Sequence, residues 1–97
     1  QTMPGVTVQL MAEGPNQMDC HRFVLAPGAS SEGAYKHEGE EFIHVLKGQL
    51  EISLGTEEYY HLNAGDSLYF KSSVHHAWKN IDADETILIW INTPPTF

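Results

Sequence analysis

Ninety-seven residues, 41% of them hydrophobic, give one globular domain with a single core and little chain to spare. Thirteen acidic against five basic side chains leave a net charge of −8, which repels phosphate backbones and anionic bilayers, so this segment is not expected to touch nucleic acid or membrane itself. Cys20 is the only cysteine: an internal disulfide is excluded, a reducing cytoplasm is expected, and the thiol reads as buried and inert.

The elements read as strands in chain order. Val6, Val8 and Leu10 alternate with Thr7 and Gln9, the period of a half-buried strand. A turn at 13–16 leads to an apolar strand from Cys20 to Leu25, closed by Pro27 and Gly28; the small polar stretch 28–34 reads as a loop. Phe42 to Lys47 is a strand stopped by Gly48, and Leu50, Ile52 and Leu54 then alternate with Glu51 and Ser53. Strands are expected at Tyr59 to Leu62, Ser67 to Phe70, Val74 to Lys79 and Thr86 to Asn92, with turns at 55–58, 63–66 and 82–85 between them. No segment has the period of a helix, no run is long enough to span a bilayer, and no linker or repeat divides the chain. Seven or eight short strands predict an all-β, antiparallel sandwich or barrel. The segments Phe42–Leu46 and Ile87–Ile91 are apolar on both faces, so the second face is expected to meet another sheet or a partner subunit, with a homodimer favoured.

Four residues stand out as candidates for one pocket: Tyr35, His37, Glu41 and His76. On a straight strand His37 and Glu41 would sit about 13 Å apart, too far to share an ion. Gly39 permits a bend between them, with His37 ending one strand and Glu41 opening the next. Tyr35 shares a face with His37, and only one of the adjacent His75 and His76 can point inward. Trp78 shares the inward face of His76 and is expected to pack in the core while also flanking a ligand; Trp90 and Tyr69 are weaker cases of the same kind. Glu38 and Glu40 read as a solvated acidic rim that would draw a cationic ligand. His44 lies on the face opposite Glu41, and His21 and His61 are expected at the surface or an interface.

These blocks resemble the two motifs of the cupin superfamily: a His-x-His followed by Glu and Gly, then Gly, Pro, Gly, His and Asn. Glu41-x6-Gly48 and Gly65-x10-His76-x3-Asn80 have that spacing, with His37 at the second histidine of the first motif. Tyr35 stands at the first metal histidine, Gly28 lies one residue too far upstream, and Lys71 and Ser73 replace the proline and glycine. The resemblance implies a jelly-roll barrel whose His37, Glu41 and His76 hold one divalent ion (Zn, Fe, Mn or Ni) with open positions. The phenol of Tyr35 is a poor ligand at neutral pH and would instead bond a bound molecule. A polar network that is satisfied without an ion is the alternative.

Further blocks narrow the likeness: the segments 37–42, 64–70 and 72–76, and the closing 92–97. Together they resemble the C-terminal sensor domains of bacterial helix-turn-helix regulators of the XRE type. That resemblance implies that residues 1–97 form a single domain from the C-terminal part of a longer regulator, in keeping with a start at Gln1. It implies a small-molecule effector, a homodimer, and DNA reached only through a helix-turn-helix domain outside this segment. It favours a binding role over an enzymatic one and leaves the enzyme question open. The rival is a small metal-dependent enzyme (dioxygenase, isomerase or decarboxylase) using the same ion as a Lewis acid, followed by a metal-free sugar-binding or structural cupin.

Overall fold

The computed structural model describes residues 4–12, 17–31 and 37–94. Eight strands run in the order β1 (Val6–Leu10), β2 (Asp19–Leu25), β3 (Glu40–Lys47), β4 (Gln49–Leu54), β5 (Glu58–Asn63), β6 (Ser67–Lys71), β7 (His76–Asn80) and β8 (Thr86–Thr93). All pairings are antiparallel, and the strands form a five-stranded sheet β1-β2-β8-β3-β6 facing a three-stranded sheet β5-β4-β7. The expected antiparallel all-β jelly roll is therefore the fold. Among the described residues no helix is long and apolar enough to cross a membrane.

Strict alternation builds the core. On β2, β3, β4 and β8 every second side chain is buried, and Leu25, Ile43, Val45, Leu50, Ile52 and Leu88 are fully enclosed between the sheets. Each such side chain contributes about 1.5–3 kcal/mol relative to an exposed one. Trp78 and Trp90 meet edge-on in the same core, their rings 6.3 Å apart. Alternation turns Leu46 outward at the end of β3, where the register with β8 shifts between Val45 and Lys47.

Several expectations need correction. β3 begins at Glu40 rather than Phe42, because Glu40 pairs with Lys71 on one side and Thr93 on the other. The stretch read as a loop after Gly28 includes a bridge from Ser30 to Lys79, and the Ser31 amide donates to the Trp78 carbonyl at 3.0 Å, covering the free edge of β7. Cys20 is not buried: it sits half-exposed on the outer face of the five-stranded sheet. Tyr69 also points outward and is 55% exposed, whereas His21, expected at the surface, is buried on the inner face between the sheets. His61 is exposed as expected, with its Nε2 2.7 Å from Gln49 Oε1. The second face of β3 and β8 meets no other sheet among the described residues.

At the end of the barrel away from β7's first residue, Asn80 ties three segments together. Its amide nitrogen lies 3.0–3.1 Å from the carbonyls of Leu25, Ala26 and Asp84. Its side-chain oxygen accepts from the Asp82 amide (2.8 Å) and the Thr86 hydroxyl (2.7 Å). A buried amide is tolerable only when its donors and acceptor are used in this way.

Candidate functional site

The site grows out of one bend. Gly39 has φ of +119°, and a Cβ there would strike the Thr93 carbonyl oxygen, so only glycine fits without displacing β8. The bend lies just before β3, and His37, expected to end a strand, belongs to none. It is held instead by the turn after β6, where the His37 amide donates to the Ser72 carbonyl (2.9 Å) and the Ser72 amide to the Gly39 carbonyl (2.8 Å). Glu41 then enters on the inner face of β3, flanked in register by Phe70 of β6 and Asn92 of β8. His76 opens β7 from the opposite sheet.

These three side chains converge. Glu41 Oε2 lies 3.1 Å from His37 Nε2 and 3.2 Å from His76 Nε2, and one donor atom from each residue falls within 4.8 Å of the others. Glu41 and His76 are almost wholly enclosed, at 2% and 0% exposure, while His37 is half-buried. Each of the three has its remaining polar atom engaged elsewhere. His76 Nδ1 lies 2.8 Å from the Val74 carbonyl and His37 Nδ1 3.2 Å from that of Glu38. A carbonyl can only accept, so both rings carry hydrogen on Nδ1 and turn Nε2 towards the carboxylate. The indole Nε1 of Trp90 donates to Glu41 Oε1 at 2.6 Å, leaving Oε2 to face the imidazoles. Phe70 and His37 frame the His76 ring, with centroids 5.0 and 5.5 Å away.

Burial alone would push the Glu41 carboxyl up, but the His76 imidazole and its charge, the nearby Ser72 hydroxyl and the Trp90 indole N–H outweigh it and hold Glu41 below the usual carboxylate range. Burial likewise disfavours protonated His76. Its bond to Glu41, the Val74 carbonyl and the carboxylate charge prevail and raise it above the ordinary imidazole value.

The donor set suits a divalent ion. Ligands about 2.1 Å from an ion in neighbouring positions stand roughly 3.0–3.4 Å apart, which brackets both carboxylate–imidazole separations. Imidazoles oriented by a bond from the other ring nitrogen, and a carboxylate pinned through its second oxygen, are what metal ligands require. Without an ion, the same three groups make a His–Glu–His ion-pair cluster when the imidazoles are protonated.

Of the other expected site residues, Tyr35 lies outside the described residues. Trp78 does share the inward face of His76, buried against Trp90. Glu38 and Glu40 are exposed beside the site, and Glu40 accepts the Tyr69 hydroxyl at 2.7 Å on the outer face. His44 is also on that outer face, its Nδ1 2.7 Å from the Ser67 hydroxyl. Trp90 is the residue that sequence reasoning undervalued. A signal for it existed: a tryptophan inside an apolar strand must find an acceptor for its N–H, and Glu41 lies on the other strand apolar on both faces. As a positioning residue, Trp90 acts through Glu41. Trp90→Phe is expected to weaken Zn²⁺ binding about 10–100-fold in a chelator competition while the circular dichroism spectrum stays native. Unchanged affinity would show that the indole only packs.

Residues 21–92 match the family described as Cupin domain. Over 95 residues the chain is 33% identical to the HTH-type transcriptional regulator PuuR of Escherichia coli K12, covering 96% of this chain and 51% of that protein. The chain thus spans about half the length of the curated relatives it matches. Among solved structures, the Cupin_2 domain of an XRE family transcriptional regulator from Enterobacter cloacae superposes with a TM-score of 0.79 at 22% identity, over 95% of this chain and 99% of that one. TT1209 from Thermus thermophilus gives 0.81 at 20% identity, over 92% and 83%. Likeness at these identities speaks for the fold alone.

Proposed function

This chain belongs to the cupin domain family, and from that premise we propose that it is the effector-sensing domain of a bacterial helix-turn-helix transcriptional regulator. The observation that carries this is the 33% identity to such a regulator across 96% of the chain, against half of the regulator's length. A strongly acidic sensor joined to a separate reader of DNA also accounts for a charge of −8 that would repel DNA directly. In this reading residues 1–97 are the C-terminal part of a longer cytoplasmic protein.

His37, Glu41 and His76 would hold one divalent ion (Zn, Fe, Mn or Ni), and Tyr35 and Trp78 would contact the effector beside it. When bound, the ion supplies positive charge and open coordination positions to anchor a donor atom of the effector. The exposed carboxylate of Glu38 beside the site favours an amine-bearing effector. Helix-turn-helix readers engage two half-sites as two-fold dimers, so the sensor would work in pairs. An effector then regulates only by binding one arrangement of the pair more tightly than the other. A small metal-dependent enzyme is the second reading, favoured by the three-ligand cluster itself.

The test is a thermal-shift screen of amines and amino acids on metal-loaded protein, followed by calorimetry on each hit. The sensor reading expects a ligand that binds without being consumed and is lost in His76→Ala, with the barrel still folded. Binding unchanged in His76→Ala would place the pocket elsewhere. Turnover of the hit, or oxygen uptake with it, would select the enzyme.

A further inference from the structure

A buried hydroxyl stands beside the site without a part in the contacts that build it. Ser72 follows β6 and is fully enclosed, at 0% exposure. Its backbone is committed: the amide donates to the Gly39 carbonyl at 2.8 Å, and the carbonyl accepts from the His37 amide at 2.9 Å. On β6, Phe70 stands opposite Glu41 on the inner face. Ser72, two residues on, continues that face opposite Gly39, which has no side chain to compete for the space. The hydroxyl itself makes no hydrogen bond among the described residues. It lies close to Glu41, where it favours the ionised carboxylate against the burial that would push that carboxyl up.

An enclosed hydroxyl without a partner costs the fold stability. Both structural bonds of Ser72 are made by its main chain, so alanine would serve the turn equally well. The carboxylate next to it offers a reason for the hydroxyl. Glu41 Oε1 already accepts the Trp90 N–H at 2.6 Å, while Oε2 faces the Nε2 atoms of His37 and His76. A carboxylate oxygen has two lone pairs, so Oε2 can give one to an ion and still accept a hydrogen bond on the other. A neutral donor suits that second place, because a cationic side chain so close would repel the ion.

We propose that Ser72 is a positioning residue of the metal site: its hydroxyl donates to Glu41 Oε2 when that oxygen ligates an ion, and together with Trp90 on Oε1 it restricts the carboxylate to one ligand atom. The inference deepens the site reading proposed above and rests on it, since it needs an ion at His37, Glu41 and His76. It also says how the site keeps room for an effector. Carboxylates bind ions through one oxygen or through both. A carboxylate held at both oxygens cannot swing to close a position that a donor atom of the effector would take.

Chelator competition with Zn²⁺ and urea denaturation in EDTA, run on the same samples, test this. Ser72→Ala keeps both main-chain bonds. It should weaken Zn²⁺ binding about 10-fold, the lower end of what loss of an outer partner costs. Its urea midpoint in EDTA should equal or exceed that of wild type, because a partnerless buried hydroxyl has been removed. Ser72→Thr retains the hydroxyl and should bind Zn²⁺ within about threefold of wild type. Unchanged Zn²⁺ affinity in Ser72→Ala overturns the proposal. So does a lowered midpoint in EDTA or a failure of Ser72→Ala to fold, since either would make the hydroxyl a structural group. A folded threonine variant that binds as weakly as the alanine one overturns it too. Should threonine prove too large for the enclosed position, the two alanine measurements decide alone. The site reading fails separately: a wild-type chain that binds no Zn²⁺ ends that reading and this one together, whereas wild type and Ser72→Ala binding alike end this one only.

Discussion

Replacing Glu41 with alanine should abolish Zn²⁺ binding and destabilise the metal-free barrel by about 3–5 kcal/mol, the usual consequence of removing one partner from a buried ion pair. Both effects come from the same geometry. Glu41 Oε2 is the point on which His37 and His76 converge, at 3.1 and 3.2 Å. Without it two imidazoles remain, and the loss should exceed the roughly 10–100-fold expected of an outer partner such as Trp90. The enclosed His76 also loses the charge that keeps it protonated, and Trp90 loses its acceptor. Glu41→Gln retains volume and an acceptor, so it should recover part of the stability but little of the metal affinity. Chelator competition and urea denaturation in EDTA measure the two separately. An alanine variant that bound Zn²⁺ as tightly as wild type would place the ion elsewhere.

The pair also sets a pH window for the metal-free protein. His76 is raised above 6.5, so its contribution is complete below that value and is lost as pH rises through the folded-state value. Glu41 is lowered below 4.5, so its contribution is present above 4.5 and is lost as pH falls through the lower folded-state value. The stability gap between wild type and Glu41→Gln, read from urea midpoints in EDTA, should therefore be widest between about pH 4.5 and 6.5 and should shrink as pH rises through the folded-state value of His76.

Asn80→Ala should cost about 2–4 kcal/mol in urea denaturation while leaving Zn²⁺ affinity within about threefold of wild type. One side chain joins the end of β2, the turn after it, the acidic turn at 82–85 and the start of β8. Truncation removes a donor to the Leu25 and Asp84 carbonyls and the acceptor for the Asp82 amide, while the Ala26 carbonyl and the Thr86 hydroxyl keep partners in the Ala29 amide and the Gln49 carbonyl. Its separation from the site follows from register: Asn80 stands opposite Leu50 and His76 opposite Leu54, at the two ends of β7. The two residues share a motif in the sequence, yet the structure gives them unrelated work. Loss of metal affinity in a stable Asn80→Ala chain would contradict that division.

The strand plan is legible in the sequence because alternation is a local property. Leu50, Ile52 and Leu54 read as one buried face, and they are one. The bend at Gly39 is legible for a similar reason, since two ligands four residues apart cannot meet along a straight strand. Assignments that depend on which neighbour lies alongside fare worse. His21 looks like a surface residue because nothing around it in sequence marks the inner face; its register with Trp90 puts it there. Size and polarity point Tyr69 and Cys20 inward, but parity with Phe42 and Ile91 carries them outward. The apolar character of β3 and β8 on both faces is plain in the sequence, and the exposed side of Phe42 and Leu46 is its structural counterpart.

By itself the chain's order of residues determined an antiparallel all-β barrel, its turns, and the identity of His37, Glu41 and His76 as residues to watch. Periodicity and glycine placement act over a few residues, and so they can be read without coordinates. Tertiary structure alone decided that Trp90 pins the carboxylate, that Ser72 holds the segment bearing His37, and that Asn80 secures the far end. The bonds from Ser72 to His37, from Trp90 to Glu41 and from Asn80 to Leu25 join residues 35, 49 and 55 positions apart in sequence. They exist only once cross-strand register has been set by burial of the core, which is a property of the whole chain at once.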